Sequence, residues 1–458
     1  MQRTPASASR SAPVPHYPDA ERWLRAREPL GMRFGLERMK ALMEALGAPQ
    51  LRFRSIHVVG TNGKSSTVRM IAALLERHGV RTGAYLSPHL LSFAERVEVA
   101  ERPVELRRFA AAVQRVATAV EQVDAERALD DRVTQFEALT AAAYVEFACS
   151  GVDVAVVEAG LGGRFDATNV IPSAVQVLTN VGLEHTALLG STHAEIAAEK
   201  LAVVPENGVL VIGSDLHPDA ERLARETSRR TRARLVRAAA PSVVPAAPGA
   251  FQRRNFALAE AAARGFLGTL DPAAVRRAAA AVRVPGRLQI VDREPLTVFD
   301  AAHNPHGVAA LVDALPELGV AAGLPTGARV RPVAVLSILG DKDARGMLRA
   351  LLPHCAAVVA TSNSDPRARS APALAGLIAG LGFAVAAVEP DPRVALARAR
   401  SLAPRDGVVL AAGSICLIGD LVGSAALGPH APAATSAAAG RARQARGAHR
   451  TVVPTARV

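Results

Sequence analysis

A chain of 458 residues is too long for a single core, so two domains are expected, and a hydrophobic content of 50% is ample to fill both. The apolar residues come in short blocks, without a run of membrane-spanning length, and the N-terminus lacks a charged start followed by an apolar core; no membrane association and a cytoplasmic location are expected. The net charge of +12 does not argue for a nucleic-acid partner, because arginines are dispersed through helical segments and only 3 Tyr and 1 Trp could stack on bases.

Residues 1–20, rich in Pro, Ser and Ala, are expected to be disordered, and 20–46 reads as helical with a Gly-Met-Arg-Phe-Gly break. Strands are predicted at 56–59, 81–86, 152–158, 174–180 and 209–212, with helices at 65–78, 104–123, 134–148 and 193–203. Such alternation implies a mostly parallel sheet covered on both faces. The proline-containing stretch 238–249 reads as a surface loop, followed by a helix over 252–267. A Pro-Gly turn within 283–287 marks the domain boundary, giving a central domain over 21–285 and a smaller, doubly wound, Rossmann-like α/β domain over 286–427. Strands of the second domain are predicted near 296–300, 332–337, 356–361, 384–388 and 408–412. The Ala/Pro/Ser/Arg-rich stretch 428–458 reads as a disordered tail. Cys149, Cys355 and Cys416 are odd in number and far apart, so buried inert thiols are expected.

The run Ser55-Ile-His-Val-Val leads into Gly60-Thr61-Asn62-Gly63-Lys64-Ser65-Ser66 and then into an apolar-periodic helix. Strand, glycine turn ending in Lys-Ser, and helix together form a phosphate-binding loop, so a nucleoside triphosphate is the expected ligand. Glycines let backbone N–H groups approach phosphate oxygens, Lys64 neutralises the terminal phosphates, and the Ser65 hydroxyl is placed for Mg2+. The usual first glycine, five residues before Gly63, is replaced by Val58, so the loop is a shortened variant. Glu158 ends an apolar strand before Gly160-Leu-Gly162-Gly163, and in an open parallel sheet it emerges on the loop's side as a candidate Mg2+ ligand. His185 follows the next strand on that side, and Lys200 sits on an otherwise apolar helix, where lysine usually reaches out to solvent.

These segments, with Ser87-Pro88-His89, Gln252-Arg-Arg-Asn255, Arg287, Asp300-Ala-Ala-His303-Asn304-Pro305 and Leu339-Gly-Asp341-Lys342-Asp343, resemble the folylpolyglutamate synthase and dihydrofolate synthase branch of the Mur ligase family. The resemblance covers roughly 17–425 and implies a Mur ligase-like, P-loop-containing fold. It implies that ATP is held by Gly60, Thr61, Asn62, Gly63, Lys64, Ser65 and Ser66, and that Asn255 lies near the adenine. Arg287 would reach the phosphates at the hinge, while Asp300 and His303 close over the nucleotide. Ser65 and Glu158 would ligate one Mg2+, and Ser87, Glu158 and His185 a second. Lys64, Lys200 and His303 would carry the catalysis, with Lys200 carbamylated by CO2. The implied reaction activates a folate or dihydropteroate carboxylate as an acyl phosphate and joins it to L-glutamate, in a monomer. A peptidoglycan-precursor ligase of the same superfamily would be expected to carry an additional N-terminal domain, and a P-loop NTPase would hydrolyse ATP without glutamate.

Overall fold

The structure is a computed structural model that describes residues 16–425 except 32, 126, 129 and 130. Eight strands form the first sheet: β1 (Arg54–Val59), β2 (Thr82–Tyr85), β3 (Val97–Val99), β4 (Arg102–Pro103), β5 (Val154–Glu158), β6 (Ser173–Leu178), β7 (Val209–Ile212) and β8 (Arg234–Arg237), in the order β4-β3-β2-β5-β1-β6-β7-β8. β1 is central, parallel to β5 on one side and to β6 on the other. It is buried from Ser55 to Val59, with Ile56, Val58 and Val59 supplying its apolar contacts. The loops after β1, β2, β5 and β6 therefore emerge along one edge, where ligands of open α/β sheets gather.

Each face of the sheet is covered by helices whose starts are written in the sequence. Gln135–Ser150 begins with a capping box of Thr134 and Glu137, and His193–Leu201 with one of Thr192 and Glu195. Lys64–Glu76 buries Val68, Met70, Ile71, Leu74 and Leu75, and packs against Ala250–Leu267. The latter presents Ala259, Ala262 and Ala263, small residues that let the two helices approach closely.

The second sheet comprises β9 (Gln289–Arg293), β10 (Leu296–Phe299), β11 (Val333–Leu336), β12 (Ala357–Ala360), β13 (Ala387–Val388) and β14 (Val408–Ala412), in the order β13-β12-β11-β14-β10-β9. All its pairings are parallel except β9 with β10. Helices Pro305–Ala321 and Ala344–Leu351 cover one face, and Pro392–Leu402 and Ile415–Ala425 the other.

Three features differ from the sequence reading. The helix Tyr17–Arg25 begins inside the segment expected to be disordered, held because the Tyr17 hydroxyl accepts from Phe93 N at 3.0 Å and its ring lies 6.0 Å from Phe109. Residues 1–15 and 426–458, which include the expected tail, lie outside the described residues. Three short antiparallel strands, β3, β4 and β9, add to the edges of the two sheets; β3 and β4 are only 3 and 2 residues long, too short to show a period. Of the thiols expected to be buried, Cys355 is, but Cys149 is exposed near the end of Gln135–Ser150 and Cys416 is intermediate.

Candidate active site

β1 delivers the glycine loop. Gly60 has φ +153° and Gly63 φ +80°, and in both places a neighbouring side chain occupies the space a Cβ would need: Thr179 Oγ1 at Gly60 and the Asn255 carboxamide at Gly63. The loop is stitched to the segment after β6. Thr61 N donates to Asn180 O at 3.0 Å, Asn62 N to Asn180 Oδ1 at 3.0 Å, Thr179 Oγ1 to Asn62 O at 2.7 Å, and Gly182 N to Thr61 Oγ1 at 3.0 Å. Gly63 caps Lys64–Glu76, so the free N–H groups and positive end of that helix face the loop. The Lys64 ammonium folds back onto Thr61 O at 3.2 Å. Gly60→Ala is expected to displace Thr179 and reduce ATP affinity at least about tenfold, measured by titration calorimetry, with a fall in Tm.

Beyond the loop lies a polar cavity of about 170 Å3, lined by Lys64, Ser65, Ser87, Glu158, Glu184, His185, Lys200, Arg287 and His303. Glu158, the last residue of β5, is 2% exposed and accepts from Ser87 N at 3.2 Å. Burial raises its carboxyl above the ordinary value, against the pull of Lys64 and Ser65. The Ser65 hydroxyl donates to Ser87 O at 3.4 Å. Ser65, Ser87 and Glu158 thus collect hard oxygen donors beside Lys64, a set that fits Mg2+, with His185 adding a nitrogen on the same cavity wall. Among the described residues no group of three His, Cys, Asp or Glu is arranged to hold a metal, so an ion here must complete its shell with substrate oxygens and water. That is how Mg2+ is commonly held beside phosphates.

Lys200 does not reach solvent. It is 3% exposed, and its ammonium donates to Gly60 O at 2.9 Å. Burial, and secondarily Lys64, push its pKa down to about 7. A lysine with much of its population uncharged at neutral pH is nucleophilic.

The second domain closes the cavity. Asp300, just past β10, is buried; its oxygens accept from Leu288 N at 2.9 Å and Ala302 N at 2.8 Å, so it braces the entry from the interdomain connection while lining the neighbouring larger cavity. His303 lines the polar cavity, away from the larger one. Its Nδ1 lies 2.9 Å from Ala301 O, a pure acceptor, so that nitrogen carries the proton and Nε2 is bare. Burial and then Arg287 push its pKa down to about 4, which leaves the ring neutral at pH 7. Arg287 lines both cavities, while Asn255 lines the larger one beneath Gly63.

Two residues that sequence reasoning did not single out lie at this junction. Glu184 accepts from Lys342 Nζ at 2.9 Å and from Asn304 Nδ2 at 2.8 Å, with His303 Nε2 at 3.6 Å and His185 Nε2 at 3.9 Å. Burial works to raise its carboxyl, but the surrounding positive field holds it below the ordinary value; with His303 neutral at pH 7, Lys342 supplies most of that field. Glu184 and Lys342 stood within recognisable motifs, yet neither motif signals the other. Asp343 caps Ala344–Leu351 by accepting from Gly346 N, and Asp341 lies 3.7 Å from Arg367.

Three cavities run in line. The largest, about 510 Å3, is walled by Phe251, Arg254, Asn255, Leu258 and Leu311, and shares Asn62, Gly63, Ser66 and Arg287 with the polar cavity. On the other side a cavity of about 400 Å3, walled by Phe34, Phe136 and Phe165 with Arg33, Arg96 and Asp166, shares Ser87, Pro88, Gly160 and His185 with it. Phe34 and Phe165 meet edge to face, with ring centroids 6.0 Å apart.

A glycine loop at the centre of one parallel sheet, closed across a polar cavity by a second α/β domain, defines a Mur-type ligase. The Mur ligase middle domain model matches residues 58–237, and the Mur ligase glutamate ligase domain model matches 286–415. The dihydrofolate synthase/folylpolyglutamate synthase of Mycobacterium tuberculosis is 37% identical over 389 residues, covering 76% of this chain and 78% of that protein. That of Bacillus subtilis is 32% identical over 382 residues, covering 77% and 86%. Among solved structures, M. tuberculosis folylpolyglutamate synthase complexed with ADP superposes with a TM-score of 0.81 at 34% identity, covering 89% of this chain and 98% of that one. Escherichia coli FolC in complex with DHPP and ADP gives 0.77 at 27% identity, with the same coverage. The chain belongs to the folylpolyglutamate synthase/dihydrofolate synthase family of Mur ligases.

Proposed function

We propose that the protein joins L-glutamate to the carboxylate of a folate-type acceptor at the expense of ATP, acting as a folylpolyglutamate synthase and also as a dihydrofolate synthase. The observation that carries this reading is the line of three cavities: a nucleotide-sized one, a small polar one at the glycine loop, and an aromatic-walled one. A phosphoryl donor and a flat heteroaromatic acid entering from opposite ends would meet in the polar cavity. ATP occupies the cavity walled by Phe251 and Leu311, with its adenine near Asn255 and its phosphates along Gly60–Ser66. The pteridine lies among Phe34, Phe136 and Phe165, and its carboxylate reaches past Ser87 and Pro88.

A carboxylate is a poor electrophile, so the γ-phosphoryl group is transferred to it first. Ser65, Ser87, Glu158 and His185 would hold Mg2+, which would supply charge neutralisation along the phosphates. Lys64 leaves Thr61 O to follow the transferring group, and Arg287 approaches from the hinge. The amine of L-glutamate then donates a hydrogen bond to the bare Nε2 of His303 and attacks the acyl carbon. The tetrahedral oxyanion collapses, the amide forms and phosphate leaves. Lys200 reacts through its uncharged amine with CO2; the new N–C bond gives a carbamate and releases a proton. The resulting anion offsets the like charge that Lys64 and Lys200 otherwise present to each other.

The division into an ATP-binding domain over 21–285 and a glutamate ligase domain over 286–427 belongs to this reading. A monomer belongs to the same reading. Among the described residues no helix is long and apolar enough to cross a membrane; a cytoplasmic location belongs to the same reading.

The test is amide formation from ATP, Mg2+ and L-glutamate with dihydropteroate or tetrahydrofolate. Both acceptors are expected to be glutamylated, with phosphate release dependent on acceptor and glutamate together. Phosphate release without any amide product would replace the ligase reading with that of a P-loop NTPase. Phe34→Ala and Phe165→Ala are each expected to raise the KM for the pteridine acceptor about tenfold, leaving the KM for ATP unchanged.

A further inference from the structure

Glu184 has a place in this junction that the phosphate chemistry does not use. It sits on the segment after β6 that is hydrogen-bonded to the glycine loop through Thr179, Asn180 and Gly182. Its own carboxylate points to the other domain, where Lys342 and Asn304 donate to it at 2.9 and 2.8 Å and His303 lies 3.6 Å away. Beside it, the side-chain amides of Asn62 and Asn304 exchange hydrogen bonds at 3.0 and 3.3 Å, which ties the glycine loop directly to the same turn. Glu184 is 13% exposed and Lys342 14%, so the pair is shielded enough for its attraction to exceed that of a surface ion pair.

We propose that Glu184 is a positioning residue that latches the second domain shut over the glycine loop and sets His303 at the acyl phosphate, so that glutamate rather than water reaches the activated carbonyl. The proposal rests on the ligase reading above. One carboxylate holds Lys342 and Asn304, both from the second domain, and through Asn304 fixes the adjoining His303, while its backbone segment registers the position of Thr61 and Asn62. Closure and phosphate binding are therefore read by the same segment. An open junction admits water, which cleaves the acyl phosphate back to carboxylate and inorganic phosphate; a closed one leaves the amine as the only nucleophile.

The experiment compares Glu184→Gln, Lys342→Met and the exchanged pair Glu184→Lys with Lys342→Glu against wild type. The readouts are phosphate released per amide formed, the KM for glutamate, and the affinity for a non-hydrolysable ATP analogue. Wild type is expected to release one phosphate per amide; failure of wild type to form amide would count against the ligase reading itself and not against the latch. In each single variant the analogue is expected to bind within about threefold of wild type, which also reports an intact first domain, while kcat falls about tenfold or more. The phosphate-to-amide ratio is expected to rise above one, and the exchanged pair to recover part of the coupling. Single variants with unchanged kcat, or with reduced kcat and a ratio still at one, would overturn the proposal.

Discussion

Lys64→Ala is expected to lower kcat by two to three orders of magnitude, about what loss of a preorganised charge at a transferring group costs in other enzymes. The reason lies in where the side chain sits. Its ammonium rests on Thr61 O at 3.2 Å, within its own loop and on the wall of the polar cavity, so a short swing carries it to the phosphates. The backbone amides, the helix end and Ser65 remain in the variant, and ATP affinity should weaken less than turnover does. Single-turnover measurements separate the two effects: the amplitude of ATP binding survives while the rate of phosphoryl transfer collapses. Equal losses in binding and turnover would instead assign Lys64 to ground-state binding.

Lys200→Met is expected to abolish most activity and, in CO2-depleted buffer where the wild-type amine is free, to raise Tm near neutral pH. The lysine is buried with its pKa brought down from 10.5 to about 7, so between those values the unfolded chain binds a proton that the folded chain does not. Stability of the wild type should accordingly rise with pH across that window, and removing the amine relieves a penalty that is greatest near pH 7 and below. The loss of one hydrogen bond to Gly60 O works in the opposite direction but is smaller. The Tm advantage of the variant should therefore shrink as pH rises toward 10.5. Carbamylation predicts in addition that wild-type activity falls in CO2-depleted buffer and returns with bicarbonate, together with a carbamate signal when carbon-labelled CO2 is supplied. Wild-type rates in Lys200→Met would remove both the carbamate and any catalytic part for this residue.

What the sequence made legible is local along the chain. The glycine loop, Glu158 at a strand end and His185 at the next each announce themselves because strand, turn and helix are contiguous, and a parallel sheet puts such ends on one edge. Lys200 was visible as an anomaly, a cation on an apolar helix, but its direction was not; only the approach of Gly60 O shows that it turns inward. Asp300 could be read as a capping or ligand carboxylate, and its pairing with Leu288 N and Ala302 N depends on how the interdomain connection folds back. The least legible part is the junction. Glu184 and Lys342 are separated by 158 positions and Asn62 and Asn304 by 242, so neither pair leaves a spacing to detect. The aromatic cavity is equally non-local, since Phe34, Phe136 and Phe165 come from three distant loops and helix starts.

The most direct test of the central claim follows an oxygen atom. If the acceptor carboxylate is activated by ATP before glutamate attacks, the bond that breaks in amide formation is the one from the acyl carbon to the bridging oxygen, and that oxygen leaves with phosphate. Dihydropteroate bearing heavy oxygen in its carboxylate, incubated with the enzyme, ATP, Mg2+ and L-glutamate, should yield inorganic phosphate carrying one labelled oxygen, seen as a shifted phosphorus resonance. Unlabelled phosphate formed alongside the amide would mean that ATP does not activate the acceptor carboxylate, and would contradict the acyl phosphate on which the account rests.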